Sequence, residues 1–150
     1  MITKHTSLVV NQSCRIMLPF IQLFALYVIG HGHYSPGGGF QGGVLLAAAA
    51  LLLRLTLGPG PAGRLARPAI APLLGAAGVM IYAGTGLPAL LYGLPYLDYH
   101  WLAEAMGAHS HAGLAAWRGH GILMVEIGVG LAVYSVLALI FDALVGRAEA

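Results

Sequence analysis

The chain has 150 residues, of which 59% are hydrophobic and only 8% are charged, whereas a soluble domain carries about 25% charged residues. With a mean hydropathy of +0.82, this composition excludes an ordinary soluble protein and predicts a chain that lies in the lipid bilayer. The formal net charge of +2, without a basic cluster interleaved with aromatic residues, argues against a nucleic-acid partner.

The apolar runs predict an all-α integral membrane protein. A transmembrane helix needs roughly 20 apolar residues, so a chain of this length supplies only a few spans. We predict a single transmembrane domain over residues 1–150, with about four transmembrane helices and a Gly/Pro-rich hinge between the first and the second. The predicted spans are about 16–33, 40–57, 69–93 and 119–141.

The first predicted span follows a short polar stretch, Met1 to Arg15, which we expect to lie at the membrane surface. Pro19 would then stand in the first turn of the helix, where proline is tolerated. Gln22 is the strong hydrogen-bonding side chain of this span, and we expect it to bond another helix. The single cysteine, Cys14, excludes an internal disulfide.

The hinge is a polar, glycine-rich segment that reads HGHYSPGGGFQGG over residues 31–43. Because Pro36 lacks a backbone donor and pushes Ser35 out of the helical region, the first helix should end near His33 or Tyr34. Glycines 37–39 permit a tight turn with accessible amide groups. In the following turn, glycines recur at a spacing of four, which predicts close contact with another helix.

We name as hinge residues those that form this turn and its anchor, namely Ser35, Pro36, Gly37, Gly38, Gly39, Phe40, Gly42 and Gly43. The polar side chains beside the turn are candidates for an ion pathway or for a helix contact, namely His31, His33 and Gln41. The alternative interpretation is an ordinary Gly/Pro turn between two helices.

The second and third spans are separated by a loop rich in glycine and proline at residues 58–68. Arg54, near the end of the second span, is expected to snorkel to the interface. The third span lies in an uncharged run of about 29 residues, longer than a perpendicular helix needs. We expect its regular helix to end between Gly84 and Gly93, with a kink or a weak point near Pro88.

Aromatic and histidine residues dominate the connection that follows, from Tyr96 to His111, and the aromatics predict an interfacial lid. Six of the seven histidines fall on one predicted side of the membrane: His31, His33, His100, His109, His111 and His120. Imidazole binds zinc and iron, but no two of these histidines have the i, i+4 spacing of a helical ligand pair. We therefore predict neither a metal site nor a cofactor, and solvated or hydrogen-bonded histidines instead.

Glu126 lies in the fourth span, which is otherwise apolar until Asp142 at its surface end. A carboxylate at the centre of a span costs on the order of 3 kcal/mol on insertion scales, so it should face protein or water and is a functional candidate. Burial disfavours the charged form, so Glu126 could take up a proton and exchange it with water or a cation. The alternative is a neutral side chain that makes a hydrogen-bonded helix contact.

The hinge string and a second stretch, VEIGVGL at residues 125–131, carry a resemblance to a known family. Both are similar to the B-subunit family of Mrp-type multisubunit cation/proton antiporters, whose relatives also occur in the membrane arms of complex I-related hydrogenases. The resemblance implies an accessory subunit that works with the other subunits of the complex, which exchanges protons for sodium or another monovalent cation. The histidine-rich connection from Tyr99 to His120 is not part of the pattern.

Two other functions remain open from the sequence: a membrane-arm subunit of a complex I-related hydrogenase, and a haem-binding membrane anchor. An enzyme is the weakest class, because no nucleophile with a base and no phosphate-binding loop is present. The excess of Lys and Arg on one side places both termini in the cytoplasm and the hinge outside the cell membrane. The residues on that side are Lys4, Arg15, Arg54, Arg64, Arg67 and Arg147.

Overall fold

The computed structural model describes residues 7–34, 37–57, 70–107 and 110–149. These ranges hold the helices α1 (Leu8–Gly30), α2 (Gly38–Leu57), α3 (Ala71–Leu91), α4 (His100–Ala105) and α5 (His111–Glu149). All but α4 are long and apolar enough to cross a membrane, and none of the described residues is in a strand. The prediction of an all-α membrane protein with four spans is confirmed.

Helix α1 begins earlier than the sequence analysis predicted. It starts at Leu8 rather than near residue 16, so the part of the predicted surface stretch from Leu8 to Arg15 is already helical and continuous with the span. No glycine or proline interrupts the chain before Pro19. Pro19 consequently lies inside the helix and not in its first turn, a position that membrane helices tolerate because neighbouring groups satisfy the freed carbonyl.

The same helix ends at Gly30, before His33. His31 closes it, with its main-chain N–H donating to Tyr27 O at 3.0 Å. A turn over residues 31–34 follows. The first helix is therefore shifted toward the N-terminus at both ends relative to the prediction.

Helix α5 also begins earlier than predicted, at His111 instead of Gly119. The Ser110 hydroxyl accepts a hydrogen bond from the Gly113 main-chain N–H at 3.1 Å, which satisfies one of the unpaired donors of the first turn. The predicted lid, Tyr96 to His111, therefore contains helix α4 and leads directly into α5. The third span agrees better with the prediction, since α3 ends at Leu91 and continues through Pro88.

The four long helices pack in the spatial order α1, α2, α5, α3. Helices α1 and α2 are antiparallel and share an apolar cluster in which Leu18 packs on Ala49 and Leu53. Helices α3 and α5 are also antiparallel and approach closely at Gly78, where an added Cβ would lie 2.5 Å from Gly128 O. Helix α5 therefore lies between α2 and α3 and contacts both.

Large apolar side chains cover the free faces of the bundle. On α1, Phe20 is 61% exposed and Leu23 is 68% exposed, and on α3 Met80 is 71% exposed. Such a surface is unfavourable in water but suits lipid tails or the helices of another membrane chain.

Candidate functional site

The Glu126 side chain of α5 reaches the hinge and the first turn of α2. The Gly39 main-chain N–H donates a hydrogen bond to the Glu126 carboxylate. A Cβ added to Gly38 would overlap the same carboxylate, and one added to Gly32 would lie 2.9 Å from its carbon atom. The hinge therefore forms a close-fitting surface for this carboxyl group, and only glycine leaves room for it at these positions.

The position of Gly39 gives this hydrogen bond an electrostatic character. Gly39 is the second residue of α2, and the first main-chain N–H groups of a helix have no partner within the helix. The N-terminus also carries a partial positive charge, which stabilises a nearby anion by about 0.3 to 1 kcal/mol and up to ~2 kcal/mol when partly buried. The first turn of α2 therefore offers the Glu126 carboxylate both a hydrogen-bond donor and a favourably oriented helix dipole.

Helix α2 can begin at this point because the preceding turn uses glycine conformations. Gly37 has a φ of +125° and Gly38 a φ of +38°, which L side chains rarely adopt. The Gln41 main-chain N–H then donates to Gly37 O at 3.0 Å and starts the helix. Ser35 and Pro36, to which the sequence analysis attributed the turn, lie outside the described residues.

The earlier start of α5 changes the depth of Glu126 within its helix. In the predicted span of 119–141, Glu126 lies about seven residues from the start, toward the hinge side. Because α5 begins at His111, Glu126 lies 15 residues into the helix and at the level of the first turn of α2. The carboxylate is therefore close to the hinge end of α2.

The hinge glycines make the close helix contacts that their spacing predicts, with Gly39 and Gly43 on the face toward α5 and Gly42 on the face toward α1. A Cβ on Gly43 would lie 2.7 Å from Gly130 O of α5, whereas one on Gly42 would lie 2.9 Å from Ala25 O of α1. The start of α2 is therefore held between α1 and α5. Phe40, named with the hinge residues as the anchor of the turn, is 63% exposed on the remaining face.

An open cleft of about 540 Å³ lies between the hinge and the first turns of α5. Its polar lining residues are His33, Tyr34, Arg118 and His120. It ends at Ile122 and Leu123, one helical turn before Glu126, which is about 5.4 Å. The cleft thus brings polar surroundings to within one turn of the carboxylate.

His31 and His100 each have a separate local partner. His31 stacks on Tyr27, with ring centroids 4.1 Å apart. Nδ1 of His100 lies 2.6 Å from Asp98 Oδ1. A hydrogen bond from the His100 main-chain N–H, reinforced by this side-chain contact, holds the pKa of Asp98 below its ordinary value of 3.8. Within the part of the chain that the structure describes, which omits His109, no three potential ligands come together as a metal site.

Of the two glutamines that the sequence analysis named as candidates, Gln22 lies apart from Glu126 and Gln41 lies beside the hinge turn. Gln22 lines a cleft of about 260 Å³ with Tyr134 and leucines from α2, α3 and α5, and its side chain is exposed. The Gln41 side chain folds back over Gly37. The structure thus brings His33 to the cleft above Glu126 and keeps Gln22 away from it.

Sequence reasoning missed the contribution of the connection before α4. The Tyr99 ring packs against Gly121 so closely that a Cβ there would overlap it. Burial raises the pKa of Tyr99, and the neighbouring Tyr82 and Glu126 raise it further. Tyr99 therefore belongs to the surroundings of Glu126, which its own sequence neighbourhood did not indicate.

It also missed an ion pair between α2 and α5. Arg54 Nη1 donates to Asp142 Oδ1 at 2.5 Å, and only 10% of the Arg54 side chain is exposed. Arg54 therefore does not snorkel away from the protein, and Asp142 is not simply a surface residue. Opposite charges near the ends of two apolar runs were the available signal, but only the helix packing identifies them as partners.

Comparison with known proteins identifies the family. Residues 9–139 match a family model described as a domain related to the MnhB subunit of Na+/H+ antiporter. This match spans all four apolar helices and includes both the hinge and Glu126. The chain belongs to the MnhB family. The family resemblance stated from the hinge and from residues 125–131 is confirmed.

Individual relatives agree with the family model. The chain is 29% identical over 137 residues to the Na(+)/H(+) antiporter B subunit of Alkalihalophilus pseudofirmus, covering 90% of this chain and 94% of the relative. It is 28% identical over 96 residues to the Bacillus subtilis protein of the same name, covering 64% and 66%. A putative antiporter subunit mnhB2 of Staphylococcus aureus is 25% identical over 129 residues, covering 84% and 90%.

Membership of the MnhB family, together with four apolar helices, identifies a multi-pass membrane component of a transporter. The two stretches that carried the resemblance from the sequence are the two that meet in space, since the hinge holds the carboxylate that residues 125–131 supply.

Proposed function

We propose that this chain is an accessory membrane subunit of a multisubunit Na+/H+ antiporter, and that Glu126 is its proton- or cation-exchanging group. The observation that carries the proposal is the hydrogen bond from the Gly39 N–H to the Glu126 carboxylate at the start of α2. A carboxylate in an otherwise apolar membrane helix is a functional candidate by default, and here Gly32 and Gly38 make room for it.

The geometry suits Glu126 to exchange. Its carboxylate faces the main-chain N–H groups that have no partner at the start of α2, where a helix attracts anions. The cleft one turn away, whose mostly apolar lining includes His33, Arg118 and His120, would supply water from the hinge side. The chain would carry no catalytic chemistry, and its partners would be the other antiporter subunits.

We further propose that both termini lie in the cytoplasm of a cell-membrane protein and that the hinge lies outside. An even number of spans would leave the two ends on the same side, and the excess of Lys and Arg near these ends supports a cytoplasmic orientation. Single cysteines in a Cys14→Ser background, one at Ser7 and one at Tyr34, test it in intact cells. A membrane-impermeant thiol reagent should label position 34 and not position 7, and the reverse labelling would contradict the orientation.

The replacement of Glu126 tests the exchange role. Glu126→Gln keeps the side-chain shape and an acceptor for the Gly39 N–H but removes the titrating group. In the assembled complex we expect sodium-dependent proton transport to fall by roughly tenfold, which corresponds to about 1.4 kcal/mol, and its pH dependence to flatten. The measurement is fluorescence-monitored proton transport in everted vesicles, normalised to assembled complex.

The control is Glu104→Gln, which removes an exposed carboxylate on α4 and should leave both rate and pH profile unchanged. Wild-type transport by Glu126→Gln at every pH would reduce Glu126 to a structural residue that caps α2.

A further inference from the structure

Two polar contacts connect the same pair of parallel helices at opposite ends. At the hinge end, the Gly39 N–H donates to Glu126, 87 residues further along the chain. Near the end of α2, Arg54 Nη1 donates to Asp142 Oδ1, 88 residues further along. Helices α2 and α5 therefore keep nearly the same register over the 15 residues between the two contacts, about 22 Å at 1.5 Å per residue.

The α2 surface between these contacts offers little to fix that register. Helical periodicity puts small residues on the stripe that connects Gly39 with Arg54, and these are Gly43, Ala47 and Ala50. Small side chains allow close approach of two backbones, but they have few protruding atoms that would oppose a sliding movement. A side chain that binds one specific partner is needed to hold α2 at one axial position against α5.

We propose that Arg54 and Asp142 are positioning residues that fix the register of α2 against α5 and thereby hold the Gly39 N–H at the Glu126 carboxylate. The inference rests on the proposed role of Glu126. A slip of one helical turn, about 5.4 Å, would carry Gly39 beyond the reach of a hydrogen bond to Glu126. The same slip would separate the charged side chains of Arg54 and Asp142.

The burial of Arg54 makes such a slip unfavourable. The Arg54 side chain is 10% exposed and that of Asp142 is 32% exposed, so the pair is partly buried. Separation of a partly buried pair costs more than the loss of a fully exposed one, because less water is available to solvate the separated charges. The pair therefore acts on the distant site through the rigid α2 helix.

Charge-removing and charge-exchanging variants in the assembled antiporter test this role. We expect Arg54→Gln and Asp142→Asn each to lower transport by at least about threefold and to change its pH profile, and the double exchange Arg54→Asp with Asp142→Arg to recover most of both. In a Glu126→Gln background, the same variants should have no further effect on the pH profile, because residues that act through one group are not additive. Arg15→Gln, on the exposed side of α1, is the matched control.

Cross-linking reports the register itself and does not depend on the role of Glu126. Val44 and Val133 line one apolar groove between α2 and α5, so cysteines at both positions in a Cys14→Ser background should react with a short bifunctional thiol reagent. We expect at least about threefold less cross-linked product when Asp142→Asn is added, with recovery in the exchanged pair. An unchanged yield overturns the inference.

The two measurements separate the possible failures. If Glu126→Gln transports normally while the cross-linking yield still depends on the ion pair, the proposed function fails and the register role of the pair stands. If Glu126→Gln impairs transport and the yield is independent of the pair, only the positioning role fails. A variant that does not assemble is scored by cross-linking of the chain in membranes, so that either result remains decisive.

Discussion

Gly39 and Glu126 restrict each other although 87 residues separate them. The carboxylate and main-chain carbonyl of Glu126 occupy the space where side chains at residues 38 and 39 would lie. In exchange, the free N–H of α2 gives the carboxylate a partner that a polar side chain would otherwise have to supply. The hinge glycines and Glu126 therefore form one site together.

We predict that Gly39→Ala disturbs this contact more than any effect on helix propensity would suggest. The new Cβ would overlap the Glu126 carbonyl, and overpacking against backbone costs typically about 1 to 3 kcal/mol. The expected result is several-fold less assembled complex and slower transport, measured by blue native electrophoresis and vesicle assay.

The matched control for that variant is Gly84→Ala. Gly84 also lies inside a long helix, but nothing lies within 4 Å of a Cβ added there, and alanine is about 1 kcal/mol better than glycine in a helix. Assembly should be unchanged or slightly improved. Equal behaviour of the two variants would mean that the close contact at Gly39 does not limit assembly.

Among single residues, the sequence identified those that differ in charge or size from their neighbours along the chain. Glu126 stands out as a charge in an apolar run, and the glycines stand out by their density, so both were found. Their mutual contact was not, because a helix pair in the bilayer has no sequence pattern that specifies its register. For the same reason Arg54 was assigned to the interface, and its partner Asp142 was missed.

The connection between α3 and α5 is the element whose structure departs most from the sequence prediction. It contains the six-residue helix α4 and docks on α5 through Tyr99 at Gly121. Its end is set by Ser110, which caps α5 at Gly113. A serine before an alanine-rich run is an ordinary start signal for a helix. It was overlooked because the neighbouring histidines suggested a loop.

We predict that Gly121→Ala displaces this connection from α5. The added Cβ would overlap the Tyr99 ring close to its attachment, so the ring and its main chain must move together. Hydrogen–deuterium exchange of the α4 segment should become faster, by roughly tenfold for about 1.4 kcal/mol of lost stability. The comparison is Gly119→Ala, where the nearest atom to the new Cβ is His33 Cδ2 at 3.9 Å.

Exchange that is equally fast in the two variants, or unchanged in both, would contradict the docking role of Gly121. Unchanged exchange with a normal transport rate would also remove Tyr99 from the surroundings that matter to Glu126.

The long helices form a row in the order α1, α2, α5, α3, and each packs mainly on the helix next to it in the row. Such a row has two ends and two broad faces, and exposed apolar side chains cover them, as on α1 and α3. The Gln22 and Tyr134 side chains line a cleft among leucines on one of these faces. A membrane protein of this form has little enclosed volume of its own.

We therefore predict that the isolated chain is inert. Purified and reconstituted alone, it should give no sodium-dependent proton transport above that of empty vesicles, because an ion route across a bilayer needs surrounding helices that this row does not supply. Co-expression with the remaining antiporter subunits should restore transport. Robust exchange by the purified chain in sodium-loaded vesicles would contradict the accessory role.

Helix α5 extends far past its neighbour α2. Fifteen residues separate its start at His111 from Glu126, which is level with the first turn of α2, so about 22 Å of helix continues beyond that level. This length is flanked by the hinge, which lines a cleft with α5 residues between Ala115 and Leu123, and by α4. The two ends of the protein therefore differ in shape: in an image of the whole transporter too coarse to separate individual helices, the extra length of α5 with α4 beside it would distinguish one end from the other.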